Sequence, residues 1–338
     1  MRRLFVVYNQ KSSNYVRVRG EFLDKLPKQK SLTIGKYDVS NLGDFNKNVT
    51  TLAKCLKDGD TVISAGGDAT ASVTLNAIIK SKKDVTLGVL PYGNFNDLAR
   101  TLGMLSADEM MRQVSESNLS RGLRSAAARE LAREPHGDGR ERRDPRKTAS
   151  DTCFYPLDII IDGHHWRYAS CYVTIGMTAE AVAIFDDPKI RAKMQKGHKS
   201  SWRSYLQLAS WYFKNRHSKT FLPGFKLNGV EQPRRTSDYA AVNGRSMSRA
   251  MKGGNDYLNS TTFRSETEKT ISFPKLFALM AKSILHRVPG HDTTSDTLEF
   301  EAPSTITLQC EGEYRTFTDV KKIEIKKDPK ICLKVLHR

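Results

Sequence analysis

The sequence predicts an α/β domain with a mostly parallel sheet, followed by a strand-rich antiparallel domain. Its 338 residues suffice for two domains of the usual size, about 150 residues each. Strand-like and helix-like segments alternate through the first hundred residues, as in parallel sheets whose strands are joined by helices. In the second half, Asp162-Gly163 and Asn228-Gly229 each separate two short apolar runs, which indicates β-hairpins.

The composition is that of a folded, basic protein. Lys and Arg number 55 against 37 Asp and Glu, a net charge of +18, and 38% of the residues are hydrophobic. These values exclude a collagen, a coiled coil and wholesale disorder. The sequence also lacks the run of about 18 apolar residues that a membrane-spanning helix needs. The charge leaves open nucleic acid, an anionic membrane surface or a phosphate-bearing small molecule as partner, or simply a host with lysine-rich proteins.

The start of the chain and its cysteines favour a cytosolic protein. Met1–Asn9 has neither the apolar stretch nor the cleavage site of a signal peptide. The five cysteines are odd in number and scattered, so neither a disulfide framework nor a zinc ribbon is indicated. We therefore expect a reducing compartment.

Each element of the first domain follows from its residue pattern. Short apolar runs predict strands at Leu4–Asn9, Ser31–Ile34, Thr61–Ser64 and Val85–Leu90. Apolar residues three and four apart predict helices at Asp44–Lys57 and Ala69–Lys80. We expect this domain to span residues 1–120, with the segment 320–338 returning to it.

The rest of the chain changes character twice. Residues 121–150 are Arg-rich with little apolar content, which indicates a flexible insertion. Residues 151–319 read as a β-rich domain, with two helices at Ser201–Arg216 and Pro274–His286. Its strands are expected at Tyr155–Ile161, Trp166–Ile175, Phe225–Leu227, Val230–Gln232, Leu298–Glu301 and Thr305–Cys310, with a further strand at Ile323–Lys326.

Two glycine-bearing turns carry the chemistry of the first domain. Gly66–Ser72 and Pro91–Arg100 each follow a predicted strand and open a predicted helix. Glycine lets the backbone approach a ligand closely, and the free N–H groups of a helix start can bind phosphate. For either turn alone, a helix cap made by Asp68, Asn96 or Asp97 is the simpler interpretation. Two such turns on successive strands favour a ligand site at the carboxyl edge of the sheet.

These residues resemble a known enzyme family. Gly66-Gly67-Asp68-Ala69-Thr70 is similar to the GGDGT motif of diacylglycerol, sphingosine and NAD kinases. Pro91–Arg100 resembles the P-x-G-T-x-N-D-x-A-R block of the lipid kinases, which NAD kinases lack. Asn9–Ser13 stands at the N-P-x-S-G nucleotide loop, and Cys310–Glu313 stands at the D-G-E motif. The resemblance, which runs from about Leu4 to Phe317, is to the diacylglycerol kinase catalytic-domain family of soluble bacterial lipid kinases.

The resemblance implies a fold and a set of site residues. The fold would be a Rossmann-like three-layer α/β nucleotide domain, similar to NAD kinase, and an antiparallel β-sandwich domain, with the active site in the cleft between them. Glu311 would be the general base, Glu313 its supporting acid and Asp68 a third catalytic residue, while Asp97 would hold magnesium through water. The nucleotide-binding residues would be Asn9, Gln10, Lys11, Ser12, Ser13, Gly66, Gly67, Asp68, Ala69, Thr70, Ala71, Ser72, Gly93, Asn94 and Asn96.

Several positions depart from the family pattern. Ala69 replaces a glycine, which costs roughly 1 kcal/mol if that position needs a positive φ. Asn94 replaces threonine, Gln10 replaces proline, and Glu311 replaces aspartate. The family's Asp-Gly-Leu stretch is not visible; Arg264-Ser265-Glu266 lies roughly there, so the family's structural magnesium site is not predicted here.

The expected function is transfer of the γ-phosphate of ATP to a hydroxyl of diacylglycerol or a related lipid, with Mg²⁺ and a carboxylate base. We expect a cytoplasmic protein at the inner face of the membrane, with ATP and a lipid as partners, a homodimer as a further expectation and nucleic acid the least favoured partner. Two alternatives stay open: an NAD kinase-like enzyme, and a degenerate kinase that only binds nucleotide, lipid or nucleic acid.

Overall fold

A computed structural model describes residues 2–26, 32–93, 95–114, 153–180, 210, 222–247, 251–252, 259–269 and 290–337. It divides into two compact units, Met1–Phe154 with Cys332–Arg338, and Tyr155–Ile331. The predicted insertion at 121–150, the bulk of the helix predicted at 201–216, the helix predicted at 274–286 and Asn94 lie outside the described residues.

The first unit is built on a six-stranded sheet. Its strands are β1 (Arg2–Tyr8), β2 (Leu32–Asp38), β3 (Thr61–Gly66), β4 (Thr86–Pro91), β5 (Cys153–Phe154) and the last strand of the chain, β18 (Leu333–Val335). The order is β2-β1-β3-β4-β18-β5, and only the β18–β5 pair is antiparallel. The helices are α1 (Tyr15–Glu21), α2 (Phe45–Cys55), α3 (Asp68–Ser81) and α4 (Asp97–Thr101). The predicted α/β domain is confirmed.

Burial explains why the central strands were readable from sequence. β3 is buried at every position, as expected for a strand covered on both faces of a parallel sheet. α2 begins after Asp44, whose carboxylate accepts the N–H of Lys47 at 2.7 Å. α3 is buried along most of its length, including Leu75 and Ala77.

This unit contains a disulfide that the number and spacing of the cysteines did not indicate. Cys153 of β5 and Cys332, the residue before β18, form a disulfide across 179 residues of sequence. Only the pairing of β5 with β18 brings the two cysteines together. Spacing along the chain therefore gives no sign of the bond.

The second unit is a continuous ten-stranded antiparallel sheet, with a separate two-stranded sheet of β12 and β13. The strand path is β15-β14-β11-β8-β16-β17-β6-β7, and β9 joins β10 to β16. The strands are β6 (Leu157–Ile161), β7 (His164–Ala169), β8 (Tyr172–Gly176), β9 (Phe225–Leu227), β10 (Val230–Glu231), β11 (Thr236–Val242), β12 (Ser246–Met247), β13 (Met251–Lys252), β14 (Phe263–Lys269), β15 (His291–Thr293), β16 (Ser295–Cys310) and β17 (Glu313–Lys327).

The antiparallel β domain is thus confirmed, with two differences in its strands. β16 runs without interruption where two strands were predicted, and its register shifts between Glu299 and Ile306. The predicted strand Trp166–Ile175 is divided at Ser170 and Cys171. The N–H groups of those two residues bond to a side chain instead of a neighbouring strand, as described below.

Among the described helices, none is long and apolar enough to cross a membrane.

Candidate active site

The three predicted nucleotide motifs converge at one edge of the parallel sheet. The loop Asn9–Ser13 follows β1, the turn at Gly66-Gly67 ends β3, and the turn Tyr92–Asn96 follows β4. β1 lies between β2 and β3, and β3 lies between β1 and β4. The carboxyl ends of these parallel strands therefore meet, and the chain connections diverge there, which is where open α/β sheets bind ligands.

The two glycine turns touch through their backbones. A Cβ atom built on Gly93 would lie 2.3 Å from the Cα of Gly67, and one built on Gly67 would lie 3.1 Å from the Cα of Gly93. The N–H of Tyr92 also donates to the carbonyl of Gly66 at 3.1 Å. Glycine is needed at position 93 for this close approach, because a side chain there would overlap the backbone of Gly67.

Asp68 joins the same two turns through its carboxylate. Oδ2 accepts the N–H of Asn96 at 2.8 Å, and Oδ1 accepts the N–H of Asp97 at 2.7 Å. Asp68 is the first residue of α3 and not its cap; Gly67 holds the capping position and makes no side-chain bond. The simpler interpretation of Asp68 as an ordinary helix cap is therefore wrong.

The environment of Asp68 perturbs its charge. Burial raises the pKa of Asp68 to about 6, and the Asp97 carboxylate adds to the rise. Backbone N–H groups of Asn96, Asp97 and Leu98 oppose it. Two acids held near each other in this way favour a cation between them and a negatively charged ligand.

The loop after β1 is tied to both neighbouring strands. Asp38, at the end of β2, accepts the N–H of Gln10 at 3.1 Å. Asn14 donates from Nδ2 to the carbonyl of Tyr92 at 2.9 Å, across to the turn after β4. The sequence analysis did not identify Asp38 or Asn14. Asp38 would have been a candidate if the predicted strand had continued beyond Ile34 to the end of β2, because β2 lies next to β1.

The remaining predicted residues of this edge divide into two groups. Ala69 is exposed and has a helical backbone with no positive φ, so its replacement of glycine carries no strain. Thr70, Ala71 and Ser72 are buried in the first turns of α3. Asn96 has a φ of 56°, a left-handed conformation that asparagine tolerates, and its side chain bonds both backbone groups of Gly93.

Glu311 and Glu313 belong to the second unit. Glu311 and Gly312 form the two-residue turn between β16 and β17, with φ values of 54° and 84°. Such turns favour Asn, Asp or Gly, and a glutamate there costs roughly 1 kcal/mol. A strained glutamate in place of a better turn former points to a role for its side chain.

The Glu311 carboxylate is held by the segment that divides the predicted strand. Its Oε1 accepts the N–H and hydroxyl of Ser170 and, at 2.9 Å, the N–H of Cys171. Glu311 is buried, and these donors fix the position of its carboxylate. Glu313 Oε2 accepts Nη1 of Arg167 at 2.8 Å. Ser170 and Arg167 carry no local sequence signal, because their partners lie over 140 residues away.

Comparison with known proteins shows a similarity in sequence over the first unit. Residues 3–123 match the family model described as the diacylglycerol kinase catalytic domain. A diacylglycerol kinase of Bacillus subtilis is 30% identical over 110 residues, which is 32% of this chain and 35% of that protein. A diacylglycerol kinase of Staphylococcus saprophyticus is 32% identical over 104 residues, 30% of this chain and 33% of that protein. The chain thus matches about a third of the length of these relatives.

Solved structures extend the likeness of fold to both units. A crystal structure of a diacylglycerol kinase from Bacillus anthracis has a TM-score of 0.61 at 14% identity, covering 99% of this chain and 97% of that one. A second structure from the same organism has a TM-score of 0.59 at 15% identity, covering 99% and 98%. Over residues 3–123, where sequence and fold both match, the chain is similar to the diacylglycerol kinase catalytic domain family.

Proposed function

We propose that this protein is an ATP-dependent lipid kinase that transfers the γ-phosphate of ATP to a hydroxyl of diacylglycerol or a related lipid. The observation that carries the proposal is the Asp68 carboxylate, which locks two glycine turns together at the carboxyl edge of the sheet. Such an edge, within a domain that is similar to this family, is suited to hold nucleotide phosphates.

In this proposal the residues divide the work between nucleotide and acceptor. The loop Asn9–Ser13 lines the nucleoside, and the turns at Gly66–Ala69 and Gly93–Asn96 bind phosphates with their N–H groups. Asn94 takes the place of the family's threonine. Glu311 accepts the proton of the lipid hydroxyl, and Glu313 supports it. Because phosphoryl transfer depends mainly on positioning and charge neutralisation, the protein's own contribution is to fix these groups.

Magnesium fits this site as a partner of two carboxylates. No group of three metal-binding side chains occurs among the described residues. Mg²⁺ usually needs only one or two carboxylates, with phosphates and waters completing its shell. Asp68 and Asp97 would hold it, directly or through water, and it would neutralise charge on the phosphates. Burial and the Asp97 carboxylate both raise the pKa of Asp68, and the negative charge that the two acids share supports this assignment.

The acceptor places the protein at a membrane surface. A lipid with a hydroxyl headgroup stays in the bilayer, so we propose a peripheral enzyme working at the inner face of the membrane. The net charge of +18 supports this, since each Lys or Arg near an anionic surface adds about 1 kcal/mol of attraction.

The test is phosphate transfer from labelled ATP into a panel of lipids by the purified full chain. Asp68→Asn and Glu311→Gln keep the size of each side chain and are expected to lower transfer at least 100-fold. Glu231→Gln, an exposed glutamate in the β9–β10 hairpin, is the matched control and is expected to retain activity.

Two outcomes would sink the proposal. One is the absence of transfer to every lipid, with Asp68→Asn and Glu311→Gln indistinguishable from the parent protein. The other is formation of NADP from NAD and ATP without lipid phosphorylation, which would assign the site to an NAD kinase-like reaction.

A further inference from the structure

A small open cavity lies beside the Glu311 turn in the second unit. Its volume is about 240 Å³, and its lining residues are Trp166, Arg167, Glu313, Tyr314 and Arg315. Trp166 and Arg167 come from β7, and the other three begin β17. The cavity therefore shares Glu313 with the proposed catalytic pair but has walls that the proposed function does not use.

Two guanidinium groups in this cavity are held against aromatic rings. Arg167 lies 4.3 Å from the centre of the Trp166 ring, and Arg315 lies 5.2 Å from the centre of the Phe317 ring. The two rings meet edge to face, with centres 5.2 Å apart. Stacking fixes the plane of each guanidinium, so its donors are oriented before a ligand arrives.

The charge of the cavity is positive. Its lining has two guanidiniums and a single carboxylate, Glu313, which accepts Nη1 of Arg167 at 2.8 Å. Arg167 is buried, whereas Arg315 is exposed. Oriented guanidiniums with an excess positive charge select phosphate groups, which they can bind through two parallel hydrogen bonds.

The aromatic walls of the cavity favour a ligand at a membrane surface. Tyr314 exposes about 41% of its surface, and Trp166 is only partly buried. Tyr and Trp next to Arg are typical of the layer where a bilayer meets water, because their rings are apolar and their tips polar. A cavity of about 240 Å³ has room for a phosphate headgroup.

We propose that this cavity binds the phosphate of an anionic membrane phospholipid and so docks the second unit on the bilayer. The inference rests on the proposed function, because docking here would leave Glu311 next to the membrane surface from which its acceptor comes. The docked phospholipid is a partner and not the acceptor, so binding and phosphate transfer can be measured separately.

The test is sedimentation of the full chain with vesicles of phosphatidylcholine, with and without 30% phosphatidylglycerol. Arg315→Gln is expected to weaken binding to the anionic vesicles about five-fold, the effect of one basic residue at such a surface. Arg234→Gln removes the same charge from an exposed position of the same unit and is expected to change binding less than two-fold.

A second pair of variants separates the cavity from net charge. Glu313→Gln removes the negative charge that pairs with Arg167 and is expected to strengthen binding to anionic vesicles several-fold. Glu231→Gln makes the same change in net charge on the β9–β10 hairpin and is expected to have little effect.

Three results would overturn the inference. Equal losses in Arg315→Gln and Arg234→Gln would show general charge attraction. Equal gains in the two glutamate variants would show the same. The third is that the protein binds both types of vesicle equally and is displaced by inorganic phosphate at a 10-fold lower concentration than by sulfate. That result would assign the cavity to free phosphate. Because sedimentation needs no ATP, an inactive protein that passes these tests would refute the proposed function and leave the docking site standing.

Discussion

Replacement of Gly93 by alanine tests whether the two glycine turns must touch. The added Cβ would lie 2.3 Å from the Cα of Gly67 and 2.9 Å from Oδ1 of Asn96. Carbon atoms in ordinary contact are about 3.5–4.0 Å apart, so one backbone has to move by about 1 Å. The same movement would pull Asn96 away from the Asp68 carboxylate.

The expected cost follows from that geometry. Overpacking of this kind destabilises the folded state by about 1–3 kcal/mol. Alanine also reduces the conformational entropy of the unfolded chain, which offsets about 0.4–1 kcal/mol of that loss. We expect Gly93→Ala to lower the free energy of unfolding by about 1–2 kcal/mol. Gly67→Ala should cost less, because its Cβ would lie 3.1 Å from Gly93 and a shift of a few tenths of an ångström suffices.

The assay combines urea denaturation with titration of MgATP by calorimetry. Gly20→Ala is the matched control: its Cβ meets nothing within 4 Å on α1, and it should stabilise the protein by about 0.5–1 kcal/mol. We expect Gly93→Ala to lower the affinity for ATP at least 10-fold. Gly67→Ala should lower it less than Gly93→Ala does but more than Gly20→Ala does. A Gly93→Ala protein as stable as the parent, with unchanged ATP affinity, would refute the close approach and its role.

Three further predictions concern charge and cross-linking. Affinity for MgATP should fall as pH drops below about 6, because Asp68 gains a proton there; calorimetry on Asp68→Asn should show no such dependence. Cys153→Ser should lower the free energy of unfolding by up to about 5 kcal/mol, because the bond closes a loop of 179 residues; reductant should act alike on the parent, and Cys55→Ser should have no effect. Burial and a hydrogen bond with Glu268 raise the pKa of Glu266 to about 9, so the folded state keeps a proton that the unfolded chain releases from about pH 4.5. The stability contributed by this group is therefore lost as pH rises toward 9. In urea denaturation, Glu266→Gln should raise the free energy of unfolding above that of the parent by on the order of 1 kcal/mol at pH 8 but not at pH 4.

Each of these has a contrary outcome. An Asp68→Asn protein with the parent's pH profile would place the titrating group elsewhere. Equal loss of stability in Cys153→Ser and Cys55→Ser would point to packing of the sulfur atom and not to the cross-link. A Glu266→Gln advantage that is constant from pH 4 to 8 would exclude ionisation of Glu266 as its cause.

Local patterns were enough to predict the central part of the first unit. β3 and β4 are short, nearly continuous apolar runs, and α2 carries its apolar residues on one face with Asp44 as its cap. Burial on both faces of a strand or on one face of a helix leaves a periodic signal in the sequence. The elements whose burial is simplest were therefore predicted within a few residues.

Long-range contacts account for what sequence patterns did not reveal. β16 and β17 alternate buried and exposed residues and carry many charges, so their full length is not visible as apolar runs. The break at Ser170 exists because Glu311 lies across from it, 141 residues later. The motifs identified Asp68 as a candidate, but only the fold brings its carboxylate to the N–H groups of Asn96 and Asp97.

The cross-linked pair of short strands makes the second unit an insert in the first. The chain departs after Phe154 and returns at Cys332, and the Cα atoms of Cys153 and Cys332 lie 5.0 Å apart. A few glycines could span that gap, so residues 155–331 are excisable: the first unit, closed by such a linker, is expected to fold alone. The disulfide also joins the two ends of this insert after cleavage. A protease cut anywhere in 155–331 therefore leaves two fragments that separate on a gel only after reduction.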